Sequence, residues 1–158
     1  MEQREQLQLI GEVFLDLYDE QGKLKDSRYS CKEIGIHNLI TDAGFDVVSN
    51  YMGQGSPRPA ATNYTAIGSG TVAAATGDTA LGFEFTGGRL TGTYTHTNGT
   101  KTYTMVTSFP PGTGTGGVTE SGMLNASAAG TLLNRQTFAV VNKAAGDTLQ
   151  TTWTITLS

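Results

Sequence analysis

The sequence has one cysteine, no cluster of basic residues and no long apolar run. The single thiol, Cys31, excludes an intrachain disulfide and leaves no thiol group for zinc. The 10 basic residues are dispersed among 14 acidic ones, which disfavours nucleic acid as a partner. No stretch approaches the roughly 18 apolar residues of a membrane span, and Met1 to Glu5 are charged or polar where a secretory signal is apolar. We therefore expect no membrane partner, and the lone thiol is compatible with a reducing cytoplasm.

Large apolar side chains are also scarce. Leu, Ile, Val and Phe make up about a fifth of the chain, near the lower limit for a self-contained globule, while there are 21 glycines. One domain is the expectation at 158 residues. Because so small an apolar fraction gives a thin core, we expect neighbouring subunits to contribute to stability.

Charge divides the chain into two segments. Fifteen of the 24 charged residues lie within residues 1–50, and the remainder is rich in glycine, threonine and alanine. We interpret residues 1–37 as an N-terminal arm and hairpin and residues 38–158 as a β-domain, together one structural unit. In the first segment, alternating Val13, Leu15 and Leu17, followed by turn-forming residues 19–22, predict a hairpin of residues 12–18 with 24–29.

One helix is predicted from Thr41 to Gly53. Thr41 is a suitable N-cap, and apolar residues follow at helical spacing. Gly44 is expected to weaken the helix by about 1 kcal/mol relative to alanine, but the helix should still form if Phe45 and Val48 pack on a sheet.

Strands are predicted over residues 64–68, 81–85, 89–97, 100–109, 118–124, 132–141 and 149–157. Asn98-Gly99 predicts a two-residue hairpin with a type I′ turn. Its register places Leu90, Tyr94, Tyr103 and Met105 on a core face, and Thr91, Thr93, Thr95, Thr102 and Thr104 on the other. In the last strand Leu149, Trp153, Ile155 and Leu157 alternate with polar residues. The predicted fold class is mainly β, an antiparallel β-sandwich or β-barrel-like domain with one short helix and an extended N-terminal arm or hairpin.

No catalytic motif is found. His37, His96 and Cys31 lie in no recognisable arrangement for acid-base or nucleophilic chemistry. The glycine-rich segments 68–70 and 112–117 complete no phosphate-binding motif. We therefore predict a protein that is not an enzyme, with no cofactor and no catalytic or metal-binding residues.

Four acidic residues were weighed as alternatives. Glu84, Glu120 and Asp147 could supply a carboxylate pair for glycoside hydrolysis, although the sequence gives no separation between them. The segments 74–79 and 144–148 resemble each other and carry Asp78 and Asp147 just before apolar residues. We favour turns in which each aspartate accepts backbone hydrogen bonds over a calcium site, which needs six to eight oxygen ligands.

Four segments in succession resemble small virion-associated proteins of tailed bacteriophages. They cover residues 38–44, 66–81, 109–122 and 141–156. The family's usual Lys-Asn-Leu opening is here His37-Asn38-Leu39, and residues 1–37 lie outside the resemblance. Such proteins are described as head decoration (cement) proteins or as tail-fibre-like proteins.

The resemblance implies a capsid decoration protein on the outer head surface, made in the cytoplasm of the host bacterium. Its partners would be copies of itself, as a trimer, and the major capsid protein. The alternatives are a tail-tip or tail-fibre component and, from another class, a carbohydrate-binding module. Candidate assembly contacts lie in the N-terminal segment: Leu7, Leu9, Ile10, Val13, Leu15 and Leu17.

Overall fold

The structure is a computed structural model that describes residues 7–30 and 38–158. Residues 1–6 and 31–37 lie outside the described part, and with them Cys31 and His37. The predicted mainly-β architecture with one short helix is confirmed. The elements in chain order are β1 Leu9–Tyr18, β2 Leu24–Ser30, β3 Leu39–Ile40, α1 Asp42–Gly53, β4 Tyr64–Gly68, β5 Glu84–Thr91, β6 Thr93–His96, β7 Thr102–Phe109, β8 Gly116–Leu124, β9 Leu132–Lys143 and β10 Thr148–Leu157.

The strands form two five-stranded antiparallel sheets that face each other as a sandwich. Sheet A has the order β2-β1-β10-β7-β6, and sheet B has the order β3-β9-β8-β4-β5. The predicted N-terminal hairpin exists, and its first strand lies between β2 and β10, so it is part of sheet A. Apolar residues from both inner faces form one core: Val13, Leu15, Leu17, Ile67, Met105, Phe109, Val118, Met123, Leu133, Val141, Leu149, Trp153 and Ile155.

Helix α1 lies against β9 and begins as predicted. The Thr41 hydroxyl accepts a hydrogen bond from the Gly44 N–H at 2.9 Å, which is the N-cap contact. A Cβ at Gly44 would overlap the carbonyl oxygen of Leu133, so glycine is what permits the close approach of helix and sheet. Of the two residues whose packing would support the helix, Val48 packs against the core, whereas Phe45 is 49% exposed because the helix turns Gly44 and Val47 toward β9.

Replacing Gly44 by alanine is expected to lower the free energy of unfolding by about 1–3 kcal/mol, although alanine favours helix. The added methyl group would force α1 away from β9. Denaturant titration of the variant measures the effect. Gly53→Ala is the control, since a Cβ at Gly53 meets nothing within 4 Å. Equal stability of the two variants would show that Gly44 is not needed for the contact.

The segment predicted as one strand over residues 89–97 is two strands in different sheets. Gly92 separates β5 of sheet B from β6 of sheet A. A Cβ at Gly92 would lie 2.6 Å from Met105 Sδ, so only glycine fits this corner. As a consequence Thr91 does not share a face with Thr93 and Thr95, which corrects the predicted threonine set.

The hairpin that contains Asn98-Gly99 is confirmed, but its turn type is not. Only Gly99 of the pair has a positive φ, at 88°, and Lys101 adds a second left-handed residue with φ 57°. A type I′ turn needs positive φ at both central residues. Tyr94 therefore pairs with Met105, two residues beyond Tyr103, the partner that a two-residue turn at Asn98-Gly99 would give it. The shift is an even number, so the assignment of the β6 and β7 residues to faces is unchanged.

Candidate assembly surfaces

The outer face of sheet A carries a broad uncharged surface over β10, β7 and β6, which we name the threonine face. Inward residues of β10 alternate with outward threonines, and the register brings Thr154 opposite Thr104 and Thr104 opposite Thr95. None of its residues is ionisable. The threonine face consists of Thr93, Thr95, Thr102, Thr104, Val106, Ser108, Thr148, Gln150, Thr152, Thr154 and Thr156.

The neighbouring strand β1 borders this surface with acidic and aromatic side chains. Glu12 lies opposite Thr154 and Asp16 opposite Gln150. Between them the exposed ring of Phe14 stacks on Tyr29, with centroids 3.6 Å apart. The outer face of sheet A is thus neutral over three strands and acidic only toward β1.

A cleft opens beneath α1 at one end of the sandwich, and we name it the α1 cleft. Its larger chamber has a volume of about 610 Å³. Helix α1 supplies one wall, and the ends of both sheets supply the others. Its apolar lining residues include Leu9, Val48, Met52, Tyr94, Met105 and Leu157. A chamber of this size with a mostly apolar lining is typical of binding sites.

Two tyrosines line the larger chamber. The rings of Tyr94 and Tyr103 lie 5.5 Å apart between centroids and are tilted by 39°. Burial raises the pKa of Tyr103 to about 12, while a hydrogen bond with the Thr62 side chain acts in the opposite direction. Tyr103 is therefore a neutral hydroxyl at physiological pH.

A smaller chamber of about 360 Å³ adjoins the larger one at Leu9. Asn38 lines it and is 6% exposed, yet neither its Nδ2 nor its Oδ1 has a hydrogen-bond partner among residues 7–30 and 38–158. A Cβ at Gly11 would overlap this amide, so Gly11 makes room for it. Since a buried unpaired polar group costs about 1–3 kcal/mol, the Asn38 amide is available for a partner that both donates and accepts.

A buried ion pair fixes the loop between β4 and β5, which we name loop 69–83. Arg135 Nε donates to Glu120 Oε2 at 2.8 Å, and the two side chains are 3% and 0% exposed. The Glu120 carboxylate also accepts from the backbone N–H groups of Gly70, Gly82 and Phe83, at 2.9, 2.9 and 2.7 Å. Every oxygen of the buried carboxylate therefore has donors, and each donor outside the ion pair belongs to loop 69–83.

Arg135 holds the same loop from its other nitrogens. Its Nη1 donates to Asp78 at 2.7 Å, and its Nη2 donates to the backbone carbonyl of Val72 at 3.0 Å. Burial alone would raise the pKa of Glu120, but the three backbone donors and Arg135 lower it below its ordinary value. Glu120 is therefore ionised near neutral pH.

The two similar turns behave as predicted. Asp78 accepts from the Ala75 N–H and Asp147 from the Ala144 N–H, each at 2.9 Å. Each aspartate also pairs with a base: Asp78 with Arg135, as above, and Asp147 with Lys25 at 2.7 Å. The hydrogen bond from Lys25, with that from the Ala144 N–H, lowers the pKa of Asp147.

The carboxylates weighed for glycoside hydrolysis all have structural partners. Glu84 pairs with Arg89 at 2.5 Å, Glu120 with Arg135, and Asp147 with Lys25. A general acid needs a raised pKa, whereas the pKa values of Glu120 and Asp147 are lowered. The exposed His96 contacts the backbone carbonyl of Thr102 at 2.8 Å.

The candidate assembly contacts of the N-terminal segment fall into two groups. Val13, Leu15 and Leu17 are 0–2% exposed in the core, so their side chains are not available for a surface contact, and an assembly role of this strand through its backbone stays a prediction. The period-two alternation of β1 turns them inward. The other three residues, Leu7, Leu9 and Ile10, line the smaller chamber of the α1 cleft.

Sequence reasoning missed the residues that shape these surfaces most. Asn38 was noticed only as part of a motif, and Arg135 was not singled out. In the sequence, each of them is a polar side chain next to or within a run of apolar strand residues. This pattern could have identified them, because a polar side chain is buried only where the fold accommodates its polar group.

Within residues 7–30 and 38–158, no helix has both the length and the apolar character needed to cross a membrane. The same part of the chain contains no group of three or more histidine, cysteine, aspartate or glutamate residues arranged to hold a metal ion. No family model, curated protein or solved structure matches the chain.

Proposed function

We propose that this chain is a decoration (cement) protein of a tailed-bacteriophage head, which binds the outer capsid surface as a symmetric oligomer and bridges capsid subunits. The observation that carries the proposal is the threonine face. Together with the resemblance of residues 38–158 to virion-associated proteins, it favours an assembly role over a chemical one.

The threonine face suits a contact with a large protein surface. Burying an ionised side chain costs several kcal/mol unless it finds a partner, and this face has none over three adjacent strands. Threonine hydroxyls donate and accept, so they adapt to the groups of another protein, and their methyl groups add apolar contact. Symmetry repeats each modest contact many times over a shell, which strengthens the whole assembly.

Localisation on the particle tests the proposal. Particles with and without this protein would be compared by electron microscopy, and its copies per particle would be counted by quantitative mass spectrometry. We expect on the order of hundreds of copies on the head, as icosahedral repetition requires, and earlier rupture of heads that lack the protein on heating. A handful of copies confined to the tail would contradict the proposal and favour the tail component instead.

A further inference from the structure

The mouth of the α1 cleft is ringed by exposed apolar side chains. Leu7 is 61% exposed, Phe45 49%, Met52 73% and Tyr94 58%, and each of them lines one of the two chambers. A small molecule inside the chambers would leave this rim in water. The occupant that buries both chambers and rim is a protein segment with protruding apolar side chains.

The chain itself carries such a protrusion elsewhere on its surface. Val72 is 76% exposed and Phe83 is 64% exposed, both in loop 69–83, and we name this pair the apolar knob. The loop covers the outer side of sheet B, where Leu81 packs on Ala66, Leu124 and Leu132. The knob and the α1 cleft are therefore different patches of the same molecule.

The apolar knob is held in place by the buried ion pair. Arg135 binds the carbonyl of Val72, and Glu120 binds the N–H of Phe83. A buried arginine and a buried glutamate thus fix the backbone at both exposed apolar residues. Ordering of a contact segment before association removes much of the entropy that binding otherwise costs.

The two patches also agree in charge and in polar groups. Among the described residues that line the α1 cleft there is no aspartate, glutamate, lysine, arginine or histidine. The single charged residue of loop 69–83 is Asp78, which is already paired with Arg135. The unpaired Asn38 amide can both donate to and accept from a peptide group of an inserted segment.

We propose that the apolar knob of one copy inserts into the α1 cleft of the next copy. This inference rests on the self-assembly that the proposed function requires, and it specifies the contact. Because the two patches differ, the contact is heterologous, and repetition of a heterologous contact closes into a ring when the rotation between copies allows it. The arrangement accounts for the exposed rim, the fixed knob and the unpaired amide together.

Complementation between two variants tests the contact. Phe83→Asp places a charge on the knob, and Met52→Asp places one at the rim of the cleft. Each variant alone is expected to be monomeric by analytical ultracentrifugation, with self-association weakened at least 100-fold relative to the wild-type oligomer. An equimolar mixture is expected to form 1:1 dimers and nothing larger, because one intact knob and one intact cleft remain in each pair. Val140→Asp, a 43% exposed apolar residue outside both patches, should stay oligomeric.

Several results would overturn the inference. They are a monomeric wild type, oligomers that persist in either single variant, a Val140→Asp variant that dissociates as readily, or a mixture that stays monomeric. Circular dichroism and the fluorescence of the buried Trp153 establish that each variant is folded. Binding to particles is measured separately from oligomerisation. A ring that forms but does not bind the capsid would refute the proposed function alone. Capsid binding together with unchanged oligomers in both variants would refute only the contact between the knob and the cleft.

Discussion

Replacing Glu120 by glutamine is expected to lower the free energy of unfolding by about 3–5 kcal/mol, the range found when one partner of a buried ion pair is removed. Glutamine keeps the size of the side chain but removes its charge. Arg135 would then be 3% exposed with only the partly exposed Asp78 as a counter-ion. The amide nitrogen of glutamine would also face backbone N–H donors of loop 69–83, where the carboxylate accepts.

Urea denaturation followed by Trp153 fluorescence gives the change, and a matched control is available in the same chain. Asp26→Asn removes the partner of Arg28 in a pair whose side chains are each 33% exposed. Partly exposed pairs contribute little, so the control should lose no more than about 1 kcal/mol. Equal losses in the two variants would show that burial of the Glu120–Arg135 pair is not what makes it important. Amide exchange at Gly82 and Phe83 should accelerate only in Glu120→Gln.

The same variant has a signature in the pH dependence of stability. The pKa values of Glu120 and Asp78 are lowered in the folded protein. For both, burial acts to raise the pKa, and hydrogen bonds from the backbone and from Arg135 outweigh it. A carboxyl group with a lowered folded pKa stabilises the fold above its unfolded pKa, and that stability is lost as the pH falls through the folded value. Wild-type stability should therefore fall as the pH drops below about 4.5, and Glu120→Gln should show a shallower fall.

Local patterns were sufficient to predict most of the elements. The cap at Thr41, the alternation in β1 and β10 and the turn residues at 19–22 each act over a few residues, so the sequence contains the information directly. The corner at Gly92 is different. A single glycine within an alternating run predicts only a weak position in one continuous strand. The chain passes from one sheet to the other at Gly92 because Met105, on another strand, lies close to it, and the local sequence does not show that contact.

The assembly surfaces depend on contacts between distant residues and were less predictable. Glu120 and Arg135 meet because β8 and β9 pair in a register that contains two irregularities, which no local pattern specifies. The Asn38 amide occupies space that Gly11 leaves open, in a chamber that Phe45 also lines, and the sequence pattern around Asn38 does not bring these residues together. The threonine face was anticipated only for the β6–β7 hairpin, because the position of β10 beside β7 is a property of the sheet.

The proposed function predicts that a charge placed at the centre of the threonine face weakens capsid binding at least 100-fold, which corresponds to about 2.7 kcal/mol. Thr104 lies on β7, with Thr154 of β10 on one side and Thr95 of β6 on the other. A glutamate there would have no cation beside it and would lose its water on binding, so it would pay a desolvation penalty of several kcal/mol. Sedimentation of the protein with heads that lack it, over a range of concentrations, measures the change.

Variants with a negative and with a positive charge at Thr104 distinguish two causes of altered capsid binding: the desolvation of a buried charge and the attraction or repulsion by a charged capsid surface. If binding fails because an unpaired charge is buried, Thr104→Glu and Thr104→Lys should both weaken it, whereas attraction to a charged capsid would make the two variants differ in direction. Thr86→Glu, at an exposed position of β5 in sheet B, is the matched control and should bind as the wild type does. Both Thr104 variants should keep a thermal midpoint within a few degrees of the wild type, since an exposed strand position alters stability by no more than about 1 kcal/mol. Because the threonine face, the apolar knob and the α1 cleft consist of different residues, loss of capsid binding with an intact oligomer would support the proposed capsid contact through sheet A independently of the proposed contact between α1 and loop 69–83.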